Sequence, residues 1–483
     1  MTVVVNADYI PDLDNPTNKL IAYCIKQHQK EIERLDKLND VYLGKHEIDD
    51  RKRESELAPN TKVTVNHAKY ITDMVVGFTF GNPIKYTPGV VDSEGGEATK
   101  VKSKNIDPII NDFKRLDISA HDAELGKDLS VGGQGIEVVY AKKVGEDKTE
   151  PAIKTIDPRG AFVVTDDTLE KNYLFGVHYM EKFDLEGNSE GWEVDIYGKN
   201  FFIEKRTDSL DMPEDGTLEW DRRANPFKDV QLTDFRNNEE KQGDFEQQIP
   251  LINAYNNLQS DRVSDKQAFI DAILIFYGFK LAEGQVVGQD SLLEAPAKSG
   301  QDGGAAAEYL TKVLDENATQ VLAQSLIDDI HKTSYVPNMN DKEFAGNVSG
   351  IAMKFKLFSL LQLMTVKERY YLKGLRRRLQ LLQNYYTLKN VECDVSGVDI
   401  AMTPNIPVNT AEVLEMVVAA KDILSLETLL QLVPFIDDPE QEVEKLIEQK
   451  KKDIELNRQA FGEESMNRPT EPPEDDNEED EEE

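Results

Sequence analysis

Residues 333–388 read TSYVPNMNDKEFAGNVSGIAMKFKLFSLLQLMTVKERYYLKGLRRRLQLLQNYYTL. The first part holds Pro337, Asn338, Asn340, Asp341, Gly346, Asn347 and Gly350, residue types that tolerate or pre-set unusual backbone angles, so it reads as a loop. From Ile351 the pattern changes. Apolar residues recur at Ile351, Phe355, Phe358, Leu361, Leu375, Leu379, Leu382 and Tyr386 without a proline, which predicts one continuous helix over 351–388. At about 1.5 Å per residue that helix spans roughly 55 Å, longer than a small domain is wide, and it serves as a spine.

The spine is basic inside an acidic chain. Lys354, Lys356, Lys367, Arg369, Lys373, Arg376, Arg377 and Arg378 stand against one acid, Glu368. Two readings are open for these cations: pairing with acidic neighbours or snorkelling from a packed helix, and contact with a polyanion.

A chain of 483 residues exceeds what one core organises, which predicts roughly two to four domains or layers. The formal net charge is −35, and removing the ten acids between Glu471 and Glu483 leaves the rest still strongly negative. That argues against a protein whose main task is gripping nucleic acid by counterion release and leaves open one that DNA passes through. Cys24 and Cys393 are the only cysteines, too few for a disulfide framework and without metal-type spacing, so a reducing compartment is expected. There is no long apolar run, and the N-terminus MTVVVNADYIPDLDNP lacks the regions of a secretory signal, so the protein is expected to be soluble, away from membranes and not exported.

Along the chain, Asn15 and Pro16 are placed to cap and start an amphipathic helix through Leu20, Cys24, Leu35 and Tyr42, ended by Gly44. Asn66 caps an apolar, buried helix through Ile71, Val75 and Phe78, and helical spacing returns at 106–116 and 118–129. After Gly132, Gly133 and Gly135, the segments IEVVYAKK, AFVVT, YLFGVHYMEKF, WEVDIYG and NFFIEKR read as strands of an antiparallel meander. The polar stretch DSLDMPEDGTLEWDRRANPF reads as an exposed loop before VQLTDFRN returns to strand, so the first half is α+β.

Residues 250–276 form a second long helical candidate with an almost wholly polar middle, NNLQSDRVSDKQ. Such a helix is expected to pack beside copies of itself or to face a solvent channel. A strand pair is expected within 278–304, a third helix over 319–333, a short strand at 398–403, and three closing helices from Asn409 or Thr410 to near Gly462. The end, RPTEPPEDDNEEDEEE, is expected to be disordered.

No GxxxxGK[ST], HExxH or CxxC occurs, and histidines 28, 46, 67, 121, 178 and 331 are scattered. Acid pairs Asp166–Asp167, Asp328–Asp329 and Asp437–Asp438 have the chemistry to hold a divalent ion, but adjacency by chance is the better account in so acidic a chain. The sequence therefore assigns no catalytic residue, metal or cofactor.

Four segments carry a family resemblance: VNHAKYITDMVVGFTFGNPIKY (65–86), FRNNEEKQGDFEQQIPLINAYNNLQSD (235–261), NMNDKEFAGNVSGIAMKFKL (338–357) and TPNIPVN (403–409). Together they resemble the portal, or head-to-tail connector, proteins of tailed double-stranded DNA bacteriophages, in the branch of long-tailed phages of Gram-positive hosts. The third is the most specific, with its glycine-asparagine turn leading into SGIA and a lysine-studded helix.

That resemblance implies an α+β portal fold with wing, stem, clip and crown layers and a homo-oligomeric ring of about twelve copies. It places a wing at 1–249, stem helices at 250–274 and 319–333, and a clip at 275–318. A tunnel loop follows at 334–350, then the spine at 351–388, a strand returning to the wing at 389–408, a crown at 409–466 and the acidic tail at 467–483. DNA-channel residues would be Asn338, Asn340, Asp341, Lys342, Glu343, Phe344, Gly346 and Asn347. The implied role is non-enzymatic: a channel at one capsid vertex of the virion, made in the host bacterial cytoplasm, through which double-stranded DNA is packaged and ejected. Implied partners are the terminase, the major capsid and scaffolding proteins, and a head-completion or tail adaptor. Two other classes are weighed: a packaging-associated nuclease, and a helical adaptor without DNA contact.

Overall fold

A computed structural model describes residues 2–6, 8, 10, 12, 14–53, 59–91, 102–146, 148–212, 217–270, 273–277, 306–310, 316–339, 350–406, 410–433, 436 and 439–461. The chain divides into two compact units, 1–405 and 406–483. In the first, strand β1 (Thr2–Val5) precedes helices α1 (Asn18–Tyr42) and α2 (His67–Phe80). Three short strands follow, β2 (Lys85–Thr87), β3 (Val90–Val91) and β4 (Lys102–Ser103), then α3 (Asp107–Arg115) and α4 (Ile118–Gly132). Next come β5 (Gln134–Lys143), β6 (Thr149–Ile156), β7 (Ala161–Asp166), β8 (Tyr173–Phe183), β9 (Ser189–Gly198), β10 (Phe201–Thr207), β11 (Thr217–Ala224) and β12 (Leu232–Arg236). Helix α5 (Ile249–Ile270), strands β13 (Ile273–Tyr277) and β14 (Ala306–Leu310), helices α6 (Glu316–Ser334), α7 (Gly350–Lys356) and α8 (Phe358–Leu388), and strand β15 (Asp399–Ala401) complete it. The second unit contains α9 (Thr410–Ala420), α10 (Leu426–Gln431) and α11 (Pro439–Phe461).

The mixture of helix and sheet is the α+β class expected, and most elements lie where periodicity put them. The expected meander is present as β7-β8-β9-β10-β11, but β1 adds to it in parallel beside β7. Two expected strands, β5 and β12, leave the meander and form a second sheet in the order β12-β5-β6. Strand β7 explains the arrangement. Phe162 and Val164 face a core shared with Ile21, Cys24 and Ile25 of α1, while Ala161 and Val163 face Ile136 of β5 and Leu232 of β12. A strand covered on both faces reads as a continuous apolar run, and AFVVT is one. The stretch read as an exposed loop contains β11, which supplies hydrogen-bond partners to the edge of β10 from Phe201 to Thr207.

Several boundaries differ. Helix α1 is capped by Thr17, whose hydroxyl accepts the Leu20 N–H at 3.3 Å, so it starts beyond Pro16. Asn66 does cap α2, accepting from the Lys69 N–H at 2.9 Å. Helix α5 stops at Ile270, short of the expected 274–276, because Ile-Leu-Ile-Phe-Tyr at 273–277 pairs antiparallel with 306–310. The strand pair expected within 278–304 and the acidic tail lie outside the described residues. The spine is two helices: at Leu357 the backbone relaxes to φ −89°, ψ 4°. Hydrogen bonds from Leu357 N–H to the Met353 carbonyl and from Leu361 N–H to the Leu357 carbonyl carry the axis through that joint. Strand β15 pairs with β2, bringing residues 399–401 back beside 85–87.

One face of the polar middle of α5 finds its partners within the chain. Asn256, Ser260 and Ser264, four residues apart on one helix face, accept the backbone N–H groups of Val65, Val63 and Thr61 at 2.9, 2.9 and 3.1 Å. An extended segment thus lies along the helix as a strand would lie along a sheet edge. On other faces Asp261 pairs with Arg51 and Arg53, both at 2.8 Å, and Glu316 of α6 accepts Lys266 at 2.6 Å. Because each buried side chain satisfies an otherwise orphaned peptide group, Asn256→Ala or Ser260→Ala should each cost about 1–2 kcal/mol. Urea denaturation gives the loss, and protease cutting within 59–65 should rise in parallel.

His28 of α1 is fully buried, with Nε2–H donating to the Pro158 carbonyl at 2.9 Å and Nδ1 accepting the Tyr179 hydroxyl at 2.8 Å. Both nitrogens are used by the neutral ring, and burial pushes its pKa down to about 3. The folded state therefore binds fewer protons than the unfolded one. This stabilisation is complete above about pH 6.5 and falls by roughly 1.4 kcal/mol per unit as pH drops towards the folded value. Denaturation midpoints at pH 7.5 and 5.0 should show that loss, and His28→Gln should reduce the slope.

Candidate nucleic-acid interface

The cations of the spine separate into an inner and an outer set. Helix α8 approaches β12 closely at Gly374, where an added Cβ would stand 2.3 Å from the Phe235 ring. That approach brings Arg378 into the interior, with no exposed surface. Its Nε donates to both oxygens of Glu137 on β5 at 3.0 Å, and its Nη2 to Glu137 Oε2 at 2.6 Å and Asp122 Oδ1 of α4 at 2.7 Å. His121 Nε2 lies 2.7 Å from Glu137, and the Tyr371 hydroxyl donates to Asp122 at 2.9 Å. Burial would raise the Glu137 pKa, but the Arg378 charge and the His121 hydrogen bond overcome it and hold the carboxyl below its usual range.

Lys367, also buried, pairs with Asp244 at 2.6 Å. Arg377 is half-buried, bonded to Asp229 at 3.1 Å and to the Val230 carbonyl at 2.8 Å, with its guanidinium 4.2 Å from the Tyr173 ring centroid. For these three the pairing reading holds. Lys354, Arg369, Lys373 and Arg376 are exposed, and the last three follow one another at steps of four and three on one face of α8. Lys356 is half-buried.

Of the expected loop residues, Asn338 is described, whereas Asn340, Asp341, Lys342, Glu343, Phe344, Gly346 and Asn347 lie outside the described residues. The entry to that loop is closely determined. Tyr335 takes a left-handed φ of +61° and Val336 is buried. Ser359 Oγ of α8 donates to the Tyr335 carbonyl at 3.1 Å, and His331 Nδ1–H of α6 donates to the Val336 carbonyl at 2.9 Å. The hydroxyl of Tyr70, from α2, donates to the Pro337 carbonyl and accepts the Met339 N–H, both at 3.1 Å. The rings of Tyr70, His331 and His67 meet edge to face, and burial pushes His67 down to about 4.

The acid pairs are differently employed. Asp166 accepts Thr168 at 2.6 Å and Asn172 at 2.9 Å in the turn after β7, and Asp328 accepts Gln324 at 2.8 Å, while Asp437 and Asp438 lie outside the described residues. Among the described residues no group of three His, Cys, Asp or Glu is placed to hold a metal ion, and no helix is long and apolar enough to cross a membrane. Sequence reasoning did not find Asp122, Glu137, Asp244 and Tyr70. Glu137 carried the one available signal, a charge inside the otherwise apolar IEVVY.

A basic helix locked into an α+β body, entered by a fastened loop, is the arrangement these residues build. Compared with known protein families, residues 21–456 match the one described as phage portal protein, SPP1 Gp6-like. The match spans nearly the whole chain, and the chain belongs to that family. Its role is accordingly that of a phage portal protein, a structural component of the virion. A search of curated proteins finds no match.

The two sets of cations predict different mutational costs. Arg378→Ala leaves Glu137 and Asp122 buried without their countercharge and should cost roughly 3–5 kcal/mol. Arg376→Ala, on the exposed face, should stay within about 0.5 kcal/mol. Chemical denaturation of both variants checks the contrast.

Proposed function

We propose that the protein assembles head-to-tail into a ring of about twelve copies enclosing a channel for double-stranded DNA. In this reading the ring occupies one capsid vertex, where it contacts the major capsid and scaffolding proteins. It receives DNA driven by the terminase and later holds the head-completion or tail adaptor. Helices α5 and α6 would be the stem, the root at β13–β14 would lead into the clip, and α9–α11 would belong to the crown.

The observation that carries the reading is the fastened entry to residues 340–349: side chains from three helices hold the peptide groups just before it. A loop meant only to connect α6 with α7 requires no such anchorage. Exposed apolar side chains support the ring: Val321 of α6 is 70 % and Phe355 of α7 76 % exposed in a single copy. The strong negative charge suits a conduit, since a wall that bound phosphate tightly would hold a sliding duplex. Lys342 in the loop, and whichever of Lys354, Arg369, Lys373 and Arg376 face the channel, would supply transient contacts.

Negative-stain microscopy with mass by light scattering should show rings with a central hole; absence of rings at every concentration would overturn the conduit. Shortening the loop between Asp341 and Gly346 should impair DNA packaging while rings still form. Normal packaging in that deletion would remove the loop from the mechanism.

A further inference from the structure

The peptide groups of residues 335–339 are held by side chains from three helices. Ser334 and His331 come from α6, the helix that leads into the segment, and Ser359 from α8, which lies beyond α7. Tyr70 comes from α2, more than 260 positions away in the chain. Bonds from α6 travel with the segment if that helix shifts. The bonds from Tyr70 of α2 and from Ser359 of the pinned helix α8 do not, and they refer the segment to the body of the first unit, where α2 packs against α4 and α8; Tyr70 makes two of these three bonds and alone holds residues 337 and 339.

The chemistry of the contact is specific to a phenol. One hydroxyl donates to the Pro337 carbonyl and accepts from the Met339 N–H, so its single proton and a lone pair are both used, and the two peptides it holds bracket Asn338. Pro337 adds stiffness, with its fixed φ and no N–H to satisfy. The ring is separately held edge to face against His331, with centroids 5.5 Å apart. Removing the hydroxyl therefore takes away two hydrogen bonds and leaves the packing in place.

We infer that Tyr70 is a positioning residue for the DNA-facing loop: its hydroxyl sets where the chain enters residues 340–349 relative to the first unit. This rests on the loop's role in DNA passage proposed above. It adds that the loop's place is set by α2 and is not left to α6 and α7 alone.

The test is Tyr70→Phe in the assembled ring, read by amide exchange and by packaging. Exchange of the Met339 amide should accelerate about ten-fold or more, because its acceptor is gone. The Val65 amide, bonded to Asn256, should stay unchanged and serves as the internal reference. Ring formation should persist and packaging yield should fall several-fold, a combination that a role confined to stability does not produce. Met339 protection equal to wild type, or lost protection with normal packaging, overturns the inference while leaving the loop's role intact. If the 341–346 deletion itself packages normally, the role of the loop fails and the inference fails with it. If Tyr70→Phe does not assemble, Tyr70→Trp, which keeps an aromatic ring but misplaces the donor and has no acceptor, is measured by the same two readouts and the same outcomes decide.

Discussion

A guanidinium with no exposed surface, shared between carboxylates of two separate elements, fixes the first unit. Arg378 must meet Glu137 of β5 and Asp122 of α4 together, since a buried charge without its partner is worth several kcal/mol of instability. That requirement removes the freedom of α8 to slide or rotate. One turn of slippage would carry Arg378 about 5.4 Å from its acceptors and carry Lys367 from Asp244 by the same distance. The helix is thus pinned at two points eleven residues apart, and what is joined to its ends is placed by consequence: the segment around Tyr335 through Ser359, and β15 through the turn after Leu388.

Much of this was legible in advance, for reasons that differ by element. Helices α1, α2 and α6 announce themselves by apolar spacing, and Asn66 caps α2 as its chemistry predicts. The strands of the meander were found by β-branched content, yet their division into two sheets was not, because β7 packs on both faces and only tertiary structure reveals with what. The long basic helix was read correctly in extent, but which of its cations are interior was hidden. A lysine at 367 looks the same in sequence as one at 373; burial beside Asp244 is a property of a partner 123 residues away. For the loop, the turn-forming residues were visible, whereas the tyrosine that holds its entry sits in a different helix.

The polar middle of α5 is the most instructive element. A helix without a clear apolar face suggests neighbouring copies or an open channel. One of its polar faces is occupied by the peptide backbone of 61–65. Polarity along a helix marks the need for hydrogen-bonding partners, and a main chain satisfies that need as well as another subunit or water does.

That contact also distributes evolutionary freedom unevenly. The helix contributes particular side chains, at 256, 260 and 264, while the extended segment contributes peptide N–H groups at 61, 63 and 65 that every residue except proline possesses. Substitution can therefore drift along one partner and not along the other. Thr61 also donates its hydroxyl to Gln267 of the helix, but the three N–H bonds themselves read the spacing of the held segment and not its letters.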